Sequence, residues 1–237
     1  MDLDTLIAQI TEEVCARIQN NIHAETKPTD LSAHIEYTFS SPAVTTDEVR
    51  RMCETAKNKR LAAVCVPQWM VAFAKEQVFG SDVRVSTPVG LPGGVSATAA
   101  KYAEVKEAVK NGADEVDIPI NTALLSKGDY DAVQKDLEES MLPAKGLICV
   151  KAVVESGMEA QQLAAAVDIA KKSGANYLAV SAITAQRAHD LRAVRELAGL
   201  CRGELKLKLL GYIRDGSDAG ALVAAGGYRI GTSATLI

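Results

Sequence analysis

Lys206 and Lys208 stand two residues apart in the run Leu205-Lys206-Leu207-Lys208-Leu209-Leu210, so in an extended strand both ammonium groups point to one side. A second aliphatic run, Leu147 to Glu155, carries Lys151, and Asp117 interrupts Glu115-Val116-Asp117-Ile118-Pro119-Ile120. Charges inside apolar strands are rarely buried without partners, so these runs predict a polar cavity lined by strand ends. The chemistry such a cavity offers is that of an amine. Lysines crowded together in a low-dielectric space are expected to favour the neutral form, because desolvation and like-charge repulsion both lower the pKa. A neutral lysine condenses with a carbonyl to a Schiff base, whose cationic nitrogen lets a carbon–carbon bond break or form through an enamine. Asp117 beside it can pass protons through a water, as base in one step and acid in the next.

Positioning those groups requires strands that end at a common mouth. Short β-prone runs near Ile35–Tyr37, Ala62–Val66, Val83–Val89, Glu115–Ile120, Leu147–Val154, Tyr177–Ser181, Lys206–Leu210 and Tyr228–Ile230 alternate with helical patterns. The helices are predicted over Thr46–Asn58, Pro67–Phe79, Ser96–Asn111, Asp129–Met141, Glu159–Ser173, Ala185–Gly199 and Asp215–Ala225, with stop signals at Asn111-Gly112, Ser173-Gly174 and Gly226-Gly227. Eight such units predict an α/β chain folded as a closed parallel TIM (β/α)8 barrel over residues 31–237. Residues 1–30 hold an amphipathic helix, about Asp4 to Asn21, and a polar connector; this helix is expected to cap the lower mouth or to mediate self-association. The rival, a doubly wound open sheet, lacks its marks: no GxGxxG follows the first strand and no phosphate-loop lysine motif occurs. In a barrel, catalytic groups gather at the carboxyl ends of the strands. The candidates are Glu36 and Thr38 on strand 1, Cys65 on strand 2, Asp117 on strand 4, Lys151 and Glu155 on strand 5, Ser181 on strand 6, and Lys206 and Lys208 on strand 7.

Composition narrows the function classes. The 237 residues are 48% hydrophobic, ample for a large core. No stretch approaches the length that crosses a bilayer, and the N-terminal segment lacks a secretory pattern, so a soluble, cytoplasmic chain is expected. A net charge of −4 offers no bulk attraction to nucleic acid or to an anionic membrane. Cys15, Cys53, Cys65, Cys149 and Cys201 are widely separated without a CxxC, which predicts reduced thiols; Cys65 reads as a small buried hydrophobe. Three histidines, none at ligand spacing, predict no zinc site. Arg214 and Arg229 read as rim ion pairs, and His189 as a residue of a charged helix.

Six segments in order carry a resemblance to the deoxyribose-phosphate aldolase family. Ile35-Glu36-Tyr37-Thr38 resembles its strand-1 Asp-x-Thr stretch, with glutamate for aspartate, and Ala63-Val64-Cys65-Val66-Pro67 its Val-Cys-Val segment. Gly90-Leu91-Pro92-Gly93-Gly94 resembles the Gly-Phe-Pro-x-Gly loop, and Asn111 to Asp117 the Asn-Gly-Ala-Asp-Glu-x-Asp run. Val150-Lys151-Ala152-Val153-Val154-Glu155 resembles the Val-Lys-Val-Ile-x-Glu strand, and Arg229-Ile230-Gly231-Thr232-Ser233 the closing Arg-x-Gly-x-Ser turn. The resemblance implies an aldehyde-lyase that cleaves 2-deoxy-D-ribose 5-phosphate through a Schiff base, without metal or organic cofactor. It casts Asp117 as the proton shuttle and Lys208 as the second lysine that depresses the nucleophile's pKa. Gly174 to Ser181, however, resembles Gly-Ala-Asp-Phe-x-Lys-Thr-Ser with Ala179 where the Schiff-base lysine belongs. Leu210-Gly211-Tyr212 likewise stands for the Ser-Gly-Gly phosphate turn.

Three readings follow. In the first, Lys208 or Lys151 forms the imine with a small aldehyde or sugar, and Glu36, Thr38, Cys65, Ser181, Gly211, Gly231 and Ser233 hold the ligand. In the second, the barrel is catalytically silent and binds a metabolite or a partner. In the third, Asp117 and Glu155 perform acid–base isomerisation. Each leaves a homo-oligomer open.

Overall fold

Alternation along eight short strands sorts their side chains into two environments. The strands are β1 (Ile35–Thr38), β2 (Ala63–Cys65), β3 (Arg84–Pro88), β4 (Glu115–Pro119), β5 (Cys149–Glu155), β6 (Tyr177–Ser181), β7 (Lys206–Leu210) and β8 (Arg229–Thr232). Each pairs in parallel with its successor, and β8 pairs with β1, so the sheet closes into the expected barrel. The computed structural model describes residues 30–41, 43–91, 93–182 and 188–233. The helix expected over Asp4–Asn21 lies outside the described residues.

One set of alternate residues, including Val64, Val85, Val116, Ile118, Val150, Leu178, Leu207 and Ile230, faces outward and joins the hydrophobic core beneath the helices. Burial of each such side chain stabilises the fold by about 1.5–3 kcal/mol. The other set faces the barrel axis, and the registers Asp117↔Lys151↔Tyr177 and Ala179↔Lys208↔Arg229 place its members side by side. Residues in register across a parallel pair project to the same face, so the interior is read as every second residue of each strand.

The helices on the outside are α1 (Thr46–Asn58), α2 (Val71–Gln77), α3 (Thr98–Lys110), α4 (Thr122–Lys127), α5 (Tyr130–Met141), α6 (Ala160–Ser173), α7 (Leu191–Cys201) and α8 (Gly216–Ala224). A capping box between Thr45 and Glu48 starts α1, and Gly174, at φ +81°, ends α6 in the left-handed conformation that a side chain would resist. Two predictions are corrected and one element is added. The helix predicted over Pro67–Phe79 is a 3-10 turn, Gln68–Met70, followed by α2, because the Pro67 carbonyl accepts from Met70 three residues on. Of the helix predicted over Ala185–Gly199, residues 185–187 lie outside the described residues and the described helix begins at Leu191, where Asp190 caps the amide of Arg192 at 2.9 Å. The short α4, capped by Asn121 on Leu124 and closed by left-handed Gly128, was not anticipated.

Candidate active site

Six ionisable side chains from five strands converge on the barrel axis. Lys151 Nζ lies 2.6 Å from Glu115 Oε2, 2.9 Å from Asp117 Oδ1 and 3.1 Å from Glu36 Oε2, and donates to Ser86 Oγ at 2.8 Å. Lys208 Nζ stands 2.5 Å from both Glu36 Oε1 and Asp117 Oδ2. Arg229 Nη1 reaches Glu115 Oε2 at 3.1 Å and Glu36 Oε2 at 3.4 Å. Three carboxylates therefore face three cations, and all six are buried, Asp117 being the most open at 6% exposure. Arg84, more than half exposed, touches Glu115 from the amino end at 3.2 Å, where water screens it.

This count reverses the expectation of a neutral amine. Burial by itself pulls Lys208 down, but the charges of Asp117 and Glu36 outweigh it and leave its pKa raised above the ordinary lysine value. Lys151 is pulled down by burial in the same way, yet Asp117, Glu36 and Glu115 hold it well above that value. The carboxylates answer symmetrically. Burial raises Glu36, and the charges of Lys151, Lys208 and Arg229 overcome it and carry the group well below the usual carboxylate range. Burial likewise raises Glu115, and Lys151 and Arg229 bring it below. Like-charge crowding of the lysines is real but smaller than the field of three carboxylates within hydrogen-bond distance.

Ala179 is fully buried beside this network. It pairs with Lys208 on β7 and with Val153 on β5, so its methyl faces the axis next to the ammonium. Above Lys208, at the carboxyl ends of β1, β7 and β8, opens a cavity of about 400 Å³ lined by Thr38, Phe39, Leu210, Gly211, Tyr212, Gly231 and Ser233 among others. Gly231 is packed closely here, since a Cβ would lie 3.0 Å from Leu210 Cβ and 3.4 Å from Lys208 Cε. Tyr212 holds φ +56°, a left-handed value normally left to glycine, so the turn keeps its backbone path while carrying a bulky ring.

Of the residues singled out from sequence, Glu36, Asp117, Lys151 and Lys208 meet in the network, and Thr38, Gly211, Gly231 and Ser233 line the cavity. Thr38 also bonds back to the Glu36 carbonyl at 3.5 Å. Cys65 is buried beside the carboxylates; burial first, then Glu36 and Asp117, raise its thiol far above the ordinary value, so it serves as a small apolar wall. Donor atoms of Glu36, Cys65 and Asp117 lie within 4.8 Å of one another, but a dication there would have to displace an ammonium from carboxylates that already hold one. Ser181 and Glu155 pair in register at the ends of β6 and β5, outside the cavity lining.

Other expectations are overturned. Lys206 does share the face of Lys208, but it sits at the amino end of β7, exposed, with its ammonium 4.2 Å over the Tyr228 ring. Arg229 is no rim residue; it is buried within the network, whereas Arg214 does pair at the surface with Asp218. Glu115, which precedes Asp117 on the same face of β4, is fully buried. His189 precedes α7 rather than lying on a helix, and burial lowers its pKa. Glu115, Arg229 and Ser86 were missed as network members, although each occupies the same alternate face as a residue that was found.

No protein-family model matches the chain. Among curated proteins, the deoxyribose-phosphate aldolase of Clostridium novyi is 32% identical over 211 residues, covering 87% of this chain and 94% of that protein. That of Staphylococcus carnosus is 34% identical over 209 residues, covering 86% and 93%. Among solved structures, an aldolase named QR15 superposes with a TM-score of 0.81 at 30% identity, covering 86% of this chain and 92% of that one. The tetrameric deoxyribose phosphate aldolase of Aeropyrum pernix superposes with a TM-score of 0.79 at 25% identity, covering 91% and 92%.

Proposed function

The chain belongs to the deoxyribose-phosphate aldolase family, and we propose that within it this barrel binds a small aldehyde or sugar at the carboxyl mouth without conventional Schiff-base turnover. One observation carries the reading: Ala179 sits in register beside Lys208, and the Lys208 amine is itself held at 2.5 Å by Glu36 and Asp117. A methyl group forms no imine. Lys208 keeps its proton because its loss would leave Asp117 with Lys151 alone, and that ammonium is shared with Glu36 and Glu115. Lys151 lies deeper still, with three carboxylates and a hydroxyl around its nitrogen.

Charge balance supports the same conclusion. A lysine at position 179 would be a fourth cation before three carboxylates, and the surplus amine is the one that loses its proton most readily. Its absence therefore removes both the nucleophile and the excess charge that makes a nucleophile. Asp117 and Lys208 remain as hydrogen-bonding groups for a carbonyl or hydroxyl. No step of this reading calls for a metal or organic cofactor, and the tetrameric Aeropyrum relative makes a homo-oligomer the assembly we propose. Cys53, Cys65, Cys149 and Cys201 are free thiols, which fits the reducing cytoplasm as its compartment.

The test is reductive trapping. Incubation with acetaldehyde and borohydride at neutral pH is expected to leave Lys208 and Lys151 unmodified. A stoichiometric adduct on Lys208 would replace this reading with that of a lyase whose nucleophile has moved one strand over.

A further inference from the structure

We infer that a second cavity, outside the barrel wall between α6 and α7, is a binding site for a compact apolar molecule carrying a hydroxyl group, a phenol or a small cyclic alcohol. The inference goes beyond the proposed function, since it involves neither the carboxyl mouth nor the ionic network.

The cavity follows from how the two helices cover the sheet. Val180 on β6 and Leu209 on β7, the outward neighbours of Ala179 and Lys208, form its floor, and Leu163 of α6 with Val194 and Leu197 of α7 close over them. These side chains leave a space of about 250 Å³. An apolar void of about 150 Å³ already admits benzene, so a substituted ring fits. Gly157 and Ala188 line it from exposed positions, which gives it an edge open to solvent.

Two polar atoms set among the aliphatic walls distinguish this space from a packing gap. Ser156 and His189 both line it, and Ser156 Oγ and His189 Nε2 are buried without a hydrogen-bond partner, so neither bonds the other. A buried polar atom left unpaired costs free energy, and each therefore calls for a partner that the chain does not supply. Both residues are held from behind. The Ser156 amide donates to the Ser181 carbonyl at 2.7 Å, and the His189 ring is hydrogen-bonded to the Leu210 carbonyl. The His189 ring also borders a smaller cavity of about 160 Å³ that reaches Tyr212 and Leu222, whereas Ser156 lines the larger one only.

The lining selects the chemistry of the occupant. Asp190 is the charged residue among the described lining residues, and its Oδ1 already accepts from the Arg192 amide at 2.9 Å. An anion finds no cation there, and an ammonium would leave water for mostly aliphatic walls. A hydroxyl both donates and accepts, so it can pair with the serine and with an imidazole nitrogen in either tautomer. The rest of the molecule must be apolar to match Leu163, Val180, Val194, Leu197 and Leu209.

Calorimetric titration of the full chain with m-cresol and with toluene, the same ring and methyl group without the hydroxyl, tests the inference. The wild-type chain is expected to bind one m-cresol, at least about fivefold tighter than toluene, which would leave both polar atoms unpaired. Ser156→Ala, a small change in a loop, is expected to weaken m-cresol at least about threefold without weakening toluene, and His189→Leu to abolish the preference. Three results overturn the inference: no saturable m-cresol binding up to its solubility limit, toluene bound as tightly as m-cresol, or a preference that Ser156→Ala leaves unmoved. A crystal soaked in m-cresol that shows only water between α6 and α7 overturns it as well.

Discussion

Placing an amine at position 179 is the perturbation whose consequence the geometry specifies most fully. Paired residues on adjacent strands lie about 4.8 Å apart, so the amine introduced by Ala179→Lys stands about 5–6 Å from that of Lys208. At an effective dielectric near 20, two positive charges at that distance repel by about 3 kcal/mol, equivalent to about 2 pKa units, and the pull of Glu36 and Asp117, already matched to Lys208, offsets part of it. Burial adds to the same side. The introduced amine is therefore expected to titrate near pH 8 or below, against about 10.4 for a free lysine. Ala179 is fully enclosed, so the longer side chain also overpacks the interior by about 1–3 kcal/mol unless it extends toward the cavity. The assay is acetaldehyde trapping with borohydride followed by peptide mass analysis. The variant is expected to gain about 28 Da, one ethyl group, at position 179, with capture rising through a midpoint near pH 8, while the wild-type chain gains nothing. Thermal denaturation run in parallel establishes that the variant is folded. A folded variant that captures no aldehyde between pH 7 and 9, or one that captures it only above pH 10, refutes the charge argument.

Lys208→Met leaves Glu36 and Asp117 short of a buried partner and is expected to cost about 3–5 kcal/mol in urea denaturation. Lys206→Met, two residues away but exposed over Tyr228, is expected to cost under about 1 kcal/mol, so equal losses would contradict the assigned burial. Tyr212→Gly relieves the positive φ and is expected to raise the melting temperature by about 2–4 °C, corresponding to about 1 kcal/mol; a decrease would mean that the ring contributes more than the strain costs. Stability should be flat across neutral pH and fall at both extremes. Glu36 and Glu115 have depressed pKa values in the fold, so their contribution is present above the unfolded value of about 4.5 and is lost as pH drops below it toward the folded one. Lys151 and Lys208 are raised, so theirs is present below the unfolded value of about 10.5 and is lost as pH climbs past it. Denaturation midpoints that vary steeply between pH 6 and 9 would contradict these assignments.

Repetition made the architecture legible. β6 and β7 fall on the predicted boundaries, as does α1, because each is a compact apolar or capped run with clear punctuation. α4, at six residues, is too short for a 3.6-residue period to register, although Asn121 and Gly128 mark both its ends. At the site, alternation identified the inward face but not the depth along it. Lys206 and Lys208 share that face, and only the position of β7 relative to its neighbours decides that one reaches solvent and the other reaches Glu36. Partners were beyond reach for a related reason: Glu36 and Arg229 are 193 positions apart, and no local pattern joins them. The sign of the lysine shifts failed on that point. Two like charges were visible in neighbouring runs, whereas the three carboxylates that outweigh them became countable only once β1, β4 and β8 closed the ring.

That same count explains why the interior accommodates alanine at position 179. A buried ion pair adds little net stability, since desolvation cancels most of the attraction, yet removing one member strands its partner. Lys151, Lys208 and Arg229 each neutralise part of Glu36, Glu115 and Asp117, so none can be dropped without leaving a carboxylate uncompensated. An amine at 179 has no carboxylate of its own in this arrangement. It is surplus, and surplus is what makes it reactive. An amine there would thus be both well suited to attack a carbonyl and dispensable to the fold, and alanine leaves three cations facing three carboxylates. A double variant, Ala179→Lys with Lys208→Met, separates the two roles. It restores three cations to three carboxylates, so it is expected to be more stable than Lys208→Met alone and to keep the introduced amine protonated, with aldehyde capture at pH 7.5 falling at least about tenfold below that of Ala179→Lys. Equal capture by the single and double variants would show that proximity to Lys208 does not tune the amine.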